Sequence, residues 1–248
     1  MKKSIMVLLS ESLSVILSRP LVVIPVFLFQ AVVLTVAVAQ LNLPELKDIL
    51  NLLQSLLSIL FAFVIFYTLI LCDQALRGPG ADFKAACDRL VSRFWALAAL
   101  FLVVAAAVIA WLLGIMAFTF VLSILLNSLL KNNEALFRLI ILVPAMTVFV
   151  LGLYYCFVFP SLVIIFEDKG VREAIGRNLD IVKANHGLVL PFVAACFILY
   201  GAVVAVEWGL SLALDSAVLI LIVSTLLTAV YFAYTTVLSF LVYREAAK

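Results

Sequence analysis

Six apolar runs decide what this chain can be. They lie at about Leu21–Leu41, Leu52–Cys72, Phe94–Leu126, Leu139–Phe166, Leu188–Leu210 and Ala217–Tyr243. Each reaches the roughly 20 residues that an α-helix needs to cross a ~30 Å hydrocarbon layer. The third, fourth and sixth exceed that length, so they must tilt, kink or project beyond the bilayer. The composition agrees: 67% of residues are hydrophobic and 12% charged, with a mean hydropathy of +1.33. A water-soluble domain averages about 45–50% apolar and about 25% charged residues, so lipid is the expected solvent for much of this chain. The expected fold is all-α: a polytopic bundle of six transmembrane helices in a single integral membrane domain spanning residues 1–248. The opening Met-Lys-Lys suggests a signal peptide, but Ser10, Glu11 and Ser12 interrupt the apolar stretch and no small-residue cleavage site follows.

Charge distribution sets the orientation. With the N-terminus inside, thirteen of the 16 Lys and Arg residues fall in inside segments. Only Lys47, Lys131 and Arg138 fall in the outside loops, at Asn42–Asn51, Asn127–Arg138 and Ser211–Ser216. Cationic loops are retained on the cytoplasmic side. The expectation is a multi-pass protein of the cell (plasma or inner) membrane with cytoplasmic N- and C-termini and membrane lipids as its immediate partners; other membrane proteins are further candidate partners. The net charge of +2 is too small and too scattered to suggest nucleic acid.

The densest charge lies in Phe166–Gly187, FEDKGVREAIGRNLDIVKANHG, which holds eight charged residues between two apolar runs. Val171, Ala174, Ile175, Leu179 and Val182 recur there at the spacing of an interfacial helix. Two other stretches share the pattern. Near the N-terminus, Ile5, Leu9, Leu13, Ile16 and Leu17 oppose Ser4, Glu11 and Ser18; before the third run come Phe83, Ala86, Cys87, Leu90, Val91 and Phe94. Each precedes an odd-numbered span. The layout is therefore three cytoplasmic-side amphipathic helices, each followed by a transmembrane hairpin, in units of about 1–72, 73–166 and 167–248. The implied three-fold repeat is weak at residue level: Pro25 and Pro191 correspond, whereas the middle unit has Ala99 near that point.

The segment FVFPSLVIIFEDKGVREAIGRNLDIVKANHG carries Phe157, Phe159, Pro160, Glu167, Asp168, Gly170, Val171 and Asn178. It resembles the signature of a broad group of uncharacterised six-span prokaryotic membrane proteins. That group includes the membrane domain fused to some bacterial glycerophosphodiester phosphodiesterases and its stand-alone bacterial and archaeal relatives. The specific likeness covers about thirty residues. It implies the six-span fold and membrane placement, and it brings no activity with it. The chain has no room for a phosphodiesterase barrel and no paired carboxylates in a metal-site pattern.

Physical chemistry gives this signature a structural reading. Pro160 is expected to bend the last turns of the fourth span. Gly170 is expected to supply the turn out of the membrane. Glu167 and Asp168 stand near the N-terminus of the next helix, where negative charge gains about 0.3–1 kcal/mol. Lys183 lies near that helix's C-terminus and directs its charge toward the headgroups, and His186 sits beside it at a membrane entry point.

Chemistry-bearing constellations are sparse. His186 is the one histidine, and Cys72, Cys87, Cys156 and Cys196 show no CxxC spacing. P-loop, GxSxG and HExxH patterns are absent from the sequence. No metal site, cofactor or catalytic residue is assigned. Glu207 is expected near the outer face beside the belt residue Trp208. Counting along the helices places Gln30, Tyr154, Tyr155, Tyr200, Thr228 and Tyr231 near the midplane. If these converge they line a small polar cavity; otherwise they form interhelical hydrogen bonds worth about 0.6–2 kcal/mol each. Three function classes remain: a non-enzymatic scaffold or accessory protein in envelope or lipid handling, a transporter or lipid-translocating protein, and a membrane-embedded lipid-headgroup enzyme. The missing chemistry and the interfacial helices favour the first. The third would draw on Asp73, Asp82, Asp88, Glu167 and Asp168.

Overall fold

A computed structural model describes residues 3–78, 82–130, 152 and 157–248. Among the described residues the regular elements are helical. They are α1 (Ile5–Ser18), α2 (Ile24–Asn42), α3 (Lys47–Arg77), α4 (Phe83–Leu130), α5 (Pro160–Glu167), α6 (Val171–Ala184), α7 (His186–Ala213) and α8 (Ala217–Ala246), with 3-10 turns at Pro20–Val22 and Pro44–Leu46. Five of them, α2, α3, α4, α7 and α8, are long and apolar enough to cross a membrane. The expected fourth span, Leu139–Phe166, lies outside the described residues as far as Cys156, apart from Gly152.

The helix boundaries have local causes. Ser4 holds an extended backbone (φ −73°, ψ 159°) ahead of α1. That helix stops at Arg19 because the residue before a proline is driven out of the helical region. Pro25 then sits at the second position of α2, where a missing N–H leaves no intrahelical bond unmade. At the far end of the chain's last hairpin, Ser216 Oγ accepts the Leu219 N–H at 3.4 Å and caps α8.

Two boundaries differ from expectation. The amphipathic stretch Phe83–Phe94 is the opening of α4, one continuous 48-residue helix, and not a separate interfacial helix. No proline interrupts Phe83–Leu130, whereas Arg19-Pro20 breaks the chain between α1 and α2. At 1.5 Å per residue α4 is about 72 Å long, more than twice the hydrocarbon thickness. The second difference is at Pro160. Val158 and Phe159 are non-helical, so Pro160 starts α5 rather than bending a helix that runs through it. Its fixed φ and absent N–H suit a first helical position.

Contacts divide the chain into two compact units, residues 1–92 with 183–248, and residues 93–182. The first unit is organised around α8, which packs on α7, α2, α1 and α3. Ala229 and Ala233, each 1% exposed, recur at helical spacing on α8, and small residues of this kind suit packed helix interfaces. Phe61 of α3 lies 5.4 Å from Phe29 of α2 and 4.7 Å from Phe232 of α8, joining three helices through ring contacts.

Burial in this unit is uneven along the helices. It is dense where Val22, Val26, Ile70, Leu71, Leu188, Phe192, Val237 and Phe240 lie. Toward the other ends, Leu52, Leu56, Leu60, Ile198, Val204, Leu212 and Val230 are exposed. Exposed apolar surface on this scale is stable against hydrocarbon and not against water. The second unit contains Arg93–Leu130, α5 and α6 as far as Val182. Within it Leu162, Val163, Ile164 and Ile165 of α5 are all buried.

Candidate functional site

Several charged side chains of the first unit meet at its densely packed end. Asp73, 4% exposed, accepts Arg77 Nε at 2.9 Å and lies 4.0 Å from Arg89 Nη1. Arg19 Nη1 donates to the Gly78 carbonyl at 3.1 Å. Gln74 Oε1 accepts the Asp82 N–H at 3.0 Å, and Asp82 Oδ1 accepts the Ala85 N–H at 3.0 Å, so Asp82 caps α4. A buried carboxylate is stable only when paired and bonded in this way.

α1 is seated on the same end. Tyr234 Oη of α8 donates to the Leu9 carbonyl at 2.9 Å, and the Lys3 N–H donates to Glu245 Oε1 at 3.2 Å. Leu8 and Ser12 form the buried stripe of α1, 1% and 0% exposed. The expected apolar face is packed only in part: Ile5, Leu9 and Ile16 are half-buried, while Leu13 and Leu17 are exposed, together with Met6. α1 therefore has two distinct faces, one of Leu8 and Ser12 against protein and an apolar one of Met6, Leu13 and Leu17 that is exposed.

Between α1 and the end of α8 lies a half-open pocket of about 300 Å³. Its charged lining is Lys3, Glu11, Arg244, Glu245 and Lys248. Its apolar wall is Leu8, Val15, Leu76 and Leu241. Lys3 pairs with Glu11, and Lys248 Nζ lies 2.7 Å from Glu245 Oε2. Arg244 sits 5.9 Å from the centroid of the Phe240 ring. Of these residues only Glu11 stands out in the sequence, where it interrupts the first apolar stretch. The available signal was the pairing of two terminal clusters, one before the first apolar run and one after the last.

The midplane candidates separate. Gln30 is buried on α2. Tyr231 donates to the Cys196 carbonyl at 3.5 Å, and its ring lies 5.7 Å from that of Tyr200. Tyr200 is 52% exposed. Thr228 Oγ1 donates to Glu207 Oε1 at 3.4 Å. Tyr154 and Tyr155 lie outside the described residues. The structure thus joins Tyr200 with Tyr231, and Thr228 with Glu207, on the α7–α8 pair.

The signature residues of the second unit form a bonded elbow. Asn178, fully buried on α6, accepts the Phe159 N–H at 3.0 Å through Oδ1. Glu167, the last residue of α5, is 3.3 Å from Lys169 Nζ and 3.4 Å from Arg177 Nε. Asp168 pairs with Arg93. These two acids are thus held by cations, and Glu173 is the acid in the first turn of α6. The turn itself is made by Asp168, in the left-handed region at φ 57° and ψ 32°, and not by Gly170. Aspartate is among the few non-glycine residues that tolerate this conformation. Gly170 instead offers its carbonyl to the Ala174 N–H at 2.9 Å, opening α6. The buried face of α6 is Ala174, Asn178, Ile181 and Val182, displaced from the expected one toward the asparagine. In the first unit, Lys183 and His186 are exposed on either side of Asn185, whose Nδ2 donates to the Ala246 carbonyl at 3.0 Å.

Fold and polar framework together define a multi-pass, all-helical membrane architecture. No protein-family model, curated protein or solved structure matches the chain.

Proposed function

We propose that this chain is a six-span protein of the cell (plasma or inner) membrane, with both termini cytoplasmic, that acts as a scaffold or accessory protein in envelope or lipid handling. The observation that carries the reading is the double face of α1. One stripe is locked to α8 through Leu8, Ser12 and the Tyr234–Leu9 bond; the other presents Met6, Leu13 and Leu17. A helix fixed on its inner face and apolar on its outer face suits the plane of the membrane interface, where a partner or lipid is met side-on. The thirteen-to-three division of Lys and Arg supports a cytoplasmic position for this end.

The test compares the native protein with a Leu13→Asp, Leu17→Asp double variant, isolated from native membranes in lipid nanodiscs. Quantitative mass spectrometry reads the proteins and lipids that accompany each. The scaffold reading expects a defined set to be lost from the variant while its thermal unfolding stays unchanged. Identical sets overturn it. A parallel assay with fluorescent phospholipid in reconstituted vesicles addresses the translocating alternative: the scaffold leaves inner-leaflet label protected, and protein-dependent loss of that protection favours translocation.

A further inference from the structure

We propose that the pocket between α1 and the end of α8 binds the phosphodiester of a membrane phospholipid, with Arg244 as its principal contact. The inference deepens the scaffold reading and rests on its placement of α1 at the membrane interface.

Three cations and two carboxylates line the pocket. Lys3 and Glu11 form one pair and Lys248 and Glu245 the other. Arg244 is the remaining charge. It has no carboxylate partner among the described residues, and it is exposed at the pocket while its guanidinium stays close to the Phe240 ring. A guanidinium presents a planar fork of N–H donors that matches two oxygens of one phosphate. The pairing of the other four groups keeps the site near a single positive charge, the complement of a phosphodiester, which carries one negative charge.

Shape and surroundings decide the source of that phosphate. Leu8, Val15, Leu76 and Leu241 form an apolar wall beside the charged rim, which suits an amphiphile better than a small hydrophilic ion. Met6, Leu13 and Leu17 lie on another face of α1, with Ser10 and Ser14 between them and the pocket. A phospholipid can seat its phosphate on Arg244 while its glycerol backbone and the first acyl carbons meet the wall of Leu8, Val15, Leu76 and Leu241. A free phosphate or water-soluble phosphate ester would leave the apolar wall unused.

The experiment titrates purified, delipidated full-length protein in detergent with dioctanoyl phosphatidylglycerol and reads the rise in unfolding temperature, since a ligand of the folded state stabilises it. Inorganic phosphate and glycerol phosphate are the water-soluble arms, and dioctanoylglycerol is the phosphate-free arm. Arg244→Gln is expected to weaken phosphatidylglycerol binding about tenfold, the loss typical of one charge-assisted bond. Ser14→Trp narrows the pocket without removing charge and is expected to weaken it as well; Lys47→Gln is expected to leave it unchanged. Ligand-free unfolding of each variant is measured first, and a variant with altered ligand-free unfolding is compared through direct binding by native mass spectrometry. Unchanged affinity in both Arg244→Gln and Ser14→Trp overturns the proposal. Equal binding of inorganic phosphate, or equal binding of dioctanoylglycerol, overturns the phospholipid assignment. The titration does not depend on any protein partner, so its failure and the failure of the scaffold reading are told apart.

Discussion

Asn178 on α6 accepts the backbone N–H of Phe159, the residue just before α5, at 3.0 Å. Both residues are fully buried, so no water can replace that acceptor. Phe159 precedes a proline at the start of a helix, where backbone N–H groups lack intrahelical partners. The side chain of a second helix supplies the partner. Asn178→Ala should lower stability by about 1–3 kcal/mol, the cost of stranding a buried donor. Reversible unfolding in mixed micelles measures it; a change indistinguishable from zero would show that the bond is unimportant.

The two stripes of α1 should respond differently to truncation. Leu8→Ala removes a side chain that is 1% exposed and should cost about 2–5 kcal/mol in micelles. Leu17, 73% exposed, should change stability by less than about 0.5 kcal/mol when replaced by alanine. Equal effects at the two positions would contradict the seating of α1 on α8.

Ala233 tests the close approach of helices around α8. It is 1% exposed, and a larger side chain there must displace the groups packed around it. Ala233→Leu should destabilise by about 1–3 kcal/mol, the usual range for overpacking. Thermal unfolding in detergent provides the comparison, and a stabilised variant would argue for a void at that point.

The long helices were legible in the sequence because lipid leaves few alternatives for an apolar run. The fifth expected span, Leu188–Leu210, is the interior of α7 (His186–Ala213), and the sixth, Ala217–Tyr243, differs from α8 by three residues at one end. The continuity of α4 was present in the same letters: nothing between Phe83 and Leu130 breaks a helix as Pro20 does. Amphipathic spacing located a helix at Val171–Ala184 and two residues of its buried face, Ala174 and Val182, but not the polar Asn178 between them. Hydrophobicity identifies which residues tolerate burial and says nothing about a buried acceptor needed by a distant backbone group. The αL residue was misplaced for a related reason. Glycine is the commonest choice for that conformation, but Asp168 adopts it, in a turn where it also pairs with Arg93.

The pocket was illegible for a different reason. Lys3 and Glu245 are joined by a hydrogen bond across almost the whole chain, as are Leu9 and Tyr234. No periodicity within a helix reports such a meeting. Of the midplane candidates, Tyr231 could be placed by depth, but its bond to the Cys196 carbonyl depends on the rotation of two helices about their axes. Depth follows from counting residues, whereas rotation follows from packing.

The proposed topology puts the densely packed end of the first unit, with α1, on the cytoplasmic side and carries the exposed apolar ends of its helices across the bilayer. The direct measurement is labelling of single engineered cysteines in intact cells, in a background where all four native cysteines are replaced by serine or alanine. Asn42→Cys at the end of α2 and Ser216→Cys at the start of α8 should react with a membrane-impermeant maleimide added outside. Lys84→Cys at the start of α4 and Arg172→Cys on α6 should react only after the membrane is permeabilised. External labelling of Lys84→Cys and Arg172→Cys, with Asn42→Cys and Ser216→Cys protected, would contradict the account.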